Sequence, residues 1–307
     1  MIAIEEIRAA RERIAGIAVR TPLVRLPVDG EVWVKLECLQ PIGSFKLRGA
    51  ANAFPDGGGA VYTASAGNMA QGVGWVARAR GSQWSAVVPD HAPQTKLAAI
   101  ERLGGEIVKL PFDAWWKVIV EHRHSGLAGH FIHPVADRAV MAGNGTIALE
   151  ILEDLPDVDT IVVPYGGGGL VSGIASAVKA IAPRVRVIAC EAETAAPLCA
   201  ALAAGAPTPV EYIASFVDGI GSRAVLDEMW PLVRSLVDGA VAVSLAEIAA
   251  AIRTLVERAH VVAEGAGACA VAAALAGKAG AGKVACIVSG GNLDPSKLAK
   301  ILAGELP

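Results

Sequence analysis

Val162-Val163-Pro164-Tyr165-Gly166-Gly167-Gly168-Gly169-Leu170 sets an apolar strand directly against four glycines, and a helical pattern runs on from there to Ile181. Residues without side chains let backbone N–H groups close around an anion, and the start of the following helix adds partial positive charge. A phosphate group needs such a backbone. A flexible linker is also glycine-rich, but it has no strand before it and no helix after it. Four glycines alone leave the ligand unnamed.

The same strand-to-helix alternation extends outward in both directions. Upstream, the spacing predicts a first helix through Ile4, Ile7, Ile14 and Ile17, ended by Thr21-Pro22, then a strand over 31–37 and a helix from Ser44. Strands at 60–63, 86–89 and 106–110 alternate with helices at 69–80 and 94–103, and a further helix covers 142–155. Downstream follow a strand at 185–189, a helix at 245–258, a strand at 283–288 and a helix at 295–302. Alternating strands and helices imply parallel sheets with helices on their faces. At roughly 150 residues per domain, the 307 residues suggest about two such α/β units.

Composition closes off other classes. The chain is 53% apolar and 19% charged, which is globular rather than disordered composition. With 27 basic against 30 acidic residues, its net charge of −3 offers no nucleic acid a basic surface. No uninterrupted apolar stretch reaches the ~18 residues of a membrane span. Met-Ile-Ala-Ile-Glu-Glu at the start lacks a signal core, and the five cysteines include no Cys-x-x-Cys pair. Reduced, buried thiols in a cytoplasmic protein are expected. Two other phosphate signatures fail. Gly277–Lys283 resembles a Walker loop, but Val284 replaces the hydroxyl residue and a strand follows instead of preceding. Gly265-x-Gly267-x-x-Ala270 also lacks a preceding strand.

Three further loops carry chemistry. In Gly43-Ser44-Phe45-Lys46-Leu47-Arg48-Gly49, Lys46 sits between Phe45 and Leu47 in a stretch of low charge. A desolvated lysine has a lowered amine pKa and can attack carbonyls; a surface lysine at a helix start is the plain alternative. Thr63-Ala64-Ser65-Ala66-Gly67-Asn68 is a small-residue turn opening a helix, able to present N–H groups to a carboxylate or simply to cap with Ser65 or Asn68. Val288-Ser289-Gly290-Gly291-Asn292 follows the last strand, where open α/β sheets place ligands.

The order and spacing of these four loops are far more specific than any one of them. The chain resembles the pyridoxal-phosphate enzymes of fold type II, the tryptophan-synthase-β-like group, and within it the threonine/serine dehydratases, which include serine racemase-like members. The resemblance runs from Thr21-Pro22-Leu23 to Asn292, with Gly-Ser-Phe-Lys-Leu-Arg-Gly-Ala at 43–50 the most specific stretch; 145–152 and Glu264–Gly267 also look like family segments. It implies pyridoxal 5'-phosphate as cofactor. Lys46 then matches the Schiff-base lysine, which also acts as base on the substrate Cα–H. Gly166, Gly167, Gly168, Gly169 and Leu170 match the phosphate loop, and Asn68 the partner of the ring hydroxyl. Ser65, Ala66 and Gly67, with Asn68, match the loop for the substrate carboxylate, and Ser289 the partner of the pyridine nitrogen. Phe45, Ser44 and Glu264 are further site candidates. A neutral Ser289 makes the ring a weak electron sink, which favours expulsion of a β-hydroxyl.

Three positions depart from the pattern. Met69 stands where family dehydratases commonly carry His; it either alters the β-substituent pocket or packs into the helix. Phe112-Asp113-Ala114-Trp115-Trp116 is unusually aromatic and either lines the pocket or fills core. Some relatives bind a divalent cation, but Glu191 and Ala195 are followed by Pro197 where a carboxylate would help, and the pairs His122/His124 and His130/His133 lack a third ligand, so no metal is expected. Serine racemases place Ser where this chain has Ala66, which favours dehydration over racemisation.

The expectation is therefore two open α/β domains: a larger one from 1–47 and 147–307, and a smaller one, 48–146, closing over the substrate. L-threonine would give 2-oxobutanoate and ammonia, with L-serine to pyruvate as a side activity. A homodimer is implied by the resemblance. No C-terminal effector domain is expected, since the chain stops about 15 residues after the Ser289 loop. The alternatives are a dehydratase for an aryl-serine or 3-hydroxyaspartate, a serine racemase, a non-catalytic amino-acid sensor and, from another class, a nucleotide-dependent oxidoreductase.

Overall fold

The computed structural model describes all residues, 1–307. In its first half the elements run α1 (Ile4–Ile14), β1 (Leu23–Arg25), β2 (Glu31–Lys35), α2 (Lys46–Ala53), β3 (Val61–Thr63), α3 (Asn68–Arg80), β4 (Trp84–Pro89), α4 (Gln94–Arg102), β5 (Glu106–Leu110), α5 (Phe112–Glu121) and β6 (His130–Phe131). The second half runs α6 (Arg138–Asp154), β7 (Thr160–Pro164), α7 (Gly169–Ile181), β8 (Arg186–Ala192), α8 (Pro197–Ala204), α9 (Trp230–Leu236), β9 (Gly239–Val243), α10 (Leu245–Thr254), α11 (Gly265–Leu275), β10 (Lys283–Ile287) and α12 (Pro295–Leu302).

Two sheets result. The larger has the order β1-β2-β10-β7-β8-β9 and is parallel except where β1 pairs with β2; the smaller, β5-β4-β3-β6, is parallel throughout. All five residues of β7 are buried, as a strand covered on both faces should be. Its residues alternate between faces: Ile161 and Val163 pack with Ile147 and Ile174, whereas Val162 packs with Ile252 and Cys286 on the opposite side. A separate apolar cluster, including Leu47, Val73 and Ile100, lies against the smaller sheet.

This order positions the site. Strands β2, β10 and β7 are parallel neighbours, in register through Cys286 opposite both Val34 and Val162. Their C-terminal ends lead into the Lys46, Ser289 and tetraglycine loops, so three segments distant in sequence leave the sheet side by side. Strand β3 of the smaller sheet delivers the Ser65–Asn68 loop in the same way.

Some boundaries differ from expectation. Helix α1 stops at Ile14, before Thr21-Pro22, because Gly16 turns the chain at φ 77° and both Ile17 and Ala18 donate their N–H to Ile14 O at 3.0 Å. Ile17 reaches the core from a turn, so its helical spacing was misleading. Helix α10 opens its capping box at Ser244 and Glu247, ends at Thr254 and widens into one π-type turn, 255–259.

Candidate active site

Lys46 is the first residue of α2. Its Nζ donates to Pro134 O at 2.8 Å, lies 5.2 Å from the centre of the Phe45 ring, and meets no carboxylate. Burial alone lowers its pKa to about 8. The loop before it is sewn to the Ser289 loop: Phe45 N–H donates to Ser289 O at 3.0 Å, Gly291 N–H to Gly43 O at 2.8 Å, and Ser44 bridges Gly290. Ser289 is buried, and the Ser44 hydroxyl is buried without a hydrogen-bond partner.

The tetraglycine loop needs its glycines for distinct reasons. Gly168 caps α7 with φ 99°, a left-handed conformation that costs a side-chain-bearing residue about 1–2 kcal/mol. A Cβ on Gly167 would lie 2.6 Å from Val135 Cγ2, and one on Gly169 would lie 2.6 Å from Val135 O. Gly166 has room, with Ile220 Cα at 3.5 Å. Leu170 is buried in the core behind the loop. The 13-residue helix α7 thus starts on a backbone cradle without side chains.

Opposite, Gly67 is the N-cap of α3 and a Cβ there would meet nothing within 4 Å, so the loop faces open space. Neither Ser65 nor Asn68 caps the helix. The Ser65 hydroxyl accepts Gly67 N–H at 3.2 Å, while Ala66 packs against the small core. Asn68 Nδ2 donates to Glu264 Oε1 at 2.9 Å, and its Oδ1 accepts from Asn292 Nδ2 at 2.8 Å. Met69 is 1% exposed and packs into the small core, away from the cleft. Trp115 does the same on the other face of that sheet, its indole N–H donating to Val87 O at 3.2 Å.

Glu264 is held at a pKa of about 7, chiefly by burial and then by nearby Asp218, while the Asn68 hydrogen bond and Lys96 work against the rise. Lys96 itself pairs with Asp218 at 3.0 Å. Because the folded-state value lies above the unfolded one, the folded protein holds an extra proton between roughly pH 4.5 and 7, and stability falls as pH rises through that window. Glu264→Gln is therefore expected to flatten the fall in melting temperature of the cofactor-free protein between pH 5 and 8, by the equivalent of about 2–3 kcal/mol. Parallel melting curves for variant and parent across that range would contradict the account.

The site fits pyridoxal phosphate: a side-chain-free anion cradle, a lysine amine without an acidic partner, and a neutral hydroxyl beside the cradle. The family model described as "Pyridoxal-phosphate dependent enzyme" matches residues 14–290. The chain belongs to this family. Pyridoxal phosphate is its cofactor, and the oxidoreductase alternative is set aside. Among family members, an L-threonine ammonia-lyase of Thermotoga maritima is 40% identical over 98% of this chain and 78% of its own. The L-threonine dehydratase catabolic TdcB of Escherichia coli K12 is 39% identical, covering 98% of this chain and 96% of that one. The structure of maize serine racemase superposes with a TM-score of 0.88 at 33% identity, covering 99% of this chain and 98% of that one.

Two of the residues doubted for metal binding have other work here. Glu191 accepts the N–H groups of Leu198 at 2.9 Å and Cys199 at 2.8 Å, so its carboxylate satisfies the start of α8. The third group missing beside the histidines is present, since Glu228 Oε1 lies 2.9 Å from His122 Nε2 and close to His133. His133 nonetheless has no free ligand atom: Nδ1 accepts two backbone N–H groups and Nε2 faces Ile119 O.

Sequence reading passed over three parts of the site. Arg48, two residues beyond Lys46, is 2% exposed and clamps Glu37 and Glu150. Asn292 ties Asn68 to Ile42 O. The His133–Val135 segment backs both the amine and the cradle. Arg48 had a signal in its place inside the most specific stretch, and Asn292 in its place at the end of the Ser289 loop. The contacts of Asn292 with Asn68 and of Pro134 with Lys46 span 224 and 88 positions, beyond the reach of any local pattern.

Proposed function

We propose that the protein is an ammonia-lyase that converts L-threonine to 2-oxobutanoate and ammonia, with L-serine to pyruvate as a side activity. The observation that carries this reading is the Lys46 amine: buried, without an acidic partner and lowered to about 8, it has a substantial neutral fraction near physiological pH and is able to take a proton from the substrate Cα. The bound cofactor supplies the electron-withdrawing ring that makes that proton acidic. The tetraglycine backbone holds the phosphate, the Ser65–Asn68 loop orients the carboxylate, and Asn68 and the neutral Ser289 hydroxyl complete the ring's partners. A neutral hydroxyl at Ser289 in place of a carboxylate would leave the pyridine nitrogen unprotonated, which would favour loss of the β-hydroxyl. Relatives of threonine-acting name, covering nearly the whole chain, support the same substrate.

Met69 lies in the small core and Trp115 packs half-buried on the other face of that sheet, so the aryl-serine alternative loses the side chains that motivated it. Racemisation is the second reading, favoured by the likeness to maize serine racemase. It needs a proton carrier on the opposite face, where this chain has Ala66, and the Ser65 hydroxyl turns back to Gly67. The reading also takes segment 48–146 as a unit that closes over the substrate, and the enzyme as a cytoplasmic homodimer.

The test is the near-visible spectrum of purified protein before and after L-threonine. A yellow band that shifts while 2-oxobutanoate accumulates is expected. A yellow protein inert to L-threonine and L-serine would overturn the substrate assignment.

A further inference from the structure

Between β6 and α6 the chain runs Ile132-His133-Pro134-Val135-Ala136. No part of the proposed chemistry uses His133, yet it is 2% exposed and fully bonded. Its Nδ1 accepts the N–H groups of Val135 at 3.0 Å and Ala136 at 2.7 Å, which places the ring proton on Nε2, directed at Ile119 O at 3.2 Å. The ring stacks on His122 with centroids 4.3 Å apart and meets Phe131 edge-on at 5.8 Å. Burial, reinforced by His122, depresses its pKa to about 3, so it stays a neutral acceptor over the whole physiological range.

The two residues after it carry the consequence. Pro134 has a fixed φ and no N–H, so its polar contribution is the carbonyl, which accepts the Lys46 amine at 2.8 Å. Val135 presses its side chain and its carbonyl on the positions a Cβ would take at Gly167 and Gly169. One imidazole thus fixes a turn that touches both the amine and the anion cradle.

We propose that His133 is a positioning residue of the active site, holding the turn whose Pro134 carbonyl parks the Lys46 amine whenever that amine is free. This rests on Lys46 as the cofactor's covalent anchor. The amine is free before the cofactor is loaded and again while substrate occupies its place. In both states a carbonyl at 2.8 Å keeps it directed into the cleft, where a desolvated amine would otherwise swing toward water. The titratable neighbours are His133 on the turn itself, His122 at the end of α5 and Glu228 ahead of α9; no carboxylate contacts the amine.

The test compares His133→Phe, which fills the volume without an acceptor, with His133→Asn, whose Oδ1 can take the place of Nδ1. The readout is the rate at which cofactor-free protein takes up pyridoxal phosphate, followed by absorbance across pH 6–10. His133→Phe is expected to load at least about tenfold more slowly, the scale of one buried hydrogen bond to a charged group, and to shift the pH midpoint of loading. His133→Asn should keep the parent midpoint and load within about threefold, the scale of a weakened hydrogen bond. A merely structural histidine would lower the melting temperature of both variants and leave the midpoint in place, and that result overturns the proposal. If His133→Phe does not fold, His133→Ala decides: added imidazole should restore its loading rate and midpoint, and failure to do so overturns the proposal. Parent-like loading by every variant also overturns the proposal, whereas parent protein that takes up pyridoxal phosphate yet does not turn over L-threonine counts against the proposed function alone.

Discussion

Lys46→Ala is expected to reduce L-threonine turnover by at least about 10⁴-fold, because it removes the group proposed both to anchor the cofactor covalently and to act as base on the substrate Cα–H. The fold should survive. Lys46 is the first residue of α2, encloses its amine while leaving part of the residue exposed, and forms no ion pair, and alanine is the best helix former. The cofactor-free variant is expected to be more stable than the parent at pH 7. Burial lowers the Lys46 amine from 10.5 to about 8, so the unfolded chain binds more protons than the folded one between those values, and stability of the parent rises with pH through that window. Below pH 8 the parent bears the full cost of a desolvated ammonium, at most about 3 kcal/mol by linkage. Alanine removes that cost, and the gain should fade toward pH 10. Calorimetry at pH 7 and 10 together with a 2-oxobutanoate assay checks both halves. A variant that turns over L-threonine at a tenth of the parent rate would overturn the role given to Lys46, and one less stable at pH 7 would overturn its desolvation. Such a residue, unfavourable for folding and required for chemistry, is the form a site trade-off takes.

Much of this arrangement was legible because most of the groups proposed to meet the cofactor lie on loops that follow β-strands. Glu106–Leu110 is a strand with the expected bounds, and the tetraglycine, Ser289 and Ser65–Asn68 loops follow strands as expected. Hidden features fall into two kinds. Helix α11, Gly-Ala-Gly-Ala-Cys-Ala-Val-Ala-Ala-Ala-Leu, is apolar all round and buried, so it has no period for a sequence reading to find. Strand β9, Gly-Ala-Val-Ala-Val, is similarly featureless, and three-residue β1 is defined only by its antiparallel partner. The second kind is polar pairing over long sequence separation. Asn68 looked like a cap, but its amide serves Glu264, 196 residues away. Nothing local marks such a choice, because a cap and a distant hydrogen bond use the same donor.

Arg48→Met is expected to destabilise the protein by about 3–5 kcal/mol, the cost of breaking a buried ion network from one side. Arg48 Nε donates to Glu37 Oε2 at 2.8 Å and Nη2 to Glu37 Oε1 at 2.9 Å; Nη1 reaches Glu150 Oε1 at 2.6 Å and Nη2 reaches Glu150 Oε2 at 2.9 Å. Lys35 completes the set against Glu150 at 2.5 Å, and all four side chains are at most 5% exposed. Two cations face two anions, so deleting Arg48 leaves one buried negative charge uncompensated. Methionine fills much of the volume, which isolates the electrostatic loss. Arg48→Lys should recover little, since a point charge cannot fork across two carboxylates. Arg48→Met with Glu150→Gln restores charge balance, with Lys35 left to Glu37, and is expected to be more stable than Arg48→Met alone. The penalty of Arg48→Met should also shrink at pH 4, where an unpaired carboxyl can be protonated. Urea denaturation midpoints at pH 7 and 4 measure each difference; a loss below about 1 kcal/mol, the value of an exposed pair, would refute the network's role. Because Glu37 follows β2 and Glu150 lies in α6, the clamp fixes α2 between the sheet and the long helix that leads into the tetraglycine unit. Its loss should therefore weaken cofactor binding as well, moving Lys46 two residues away while the cradle at Gly166–Gly169 stays in place.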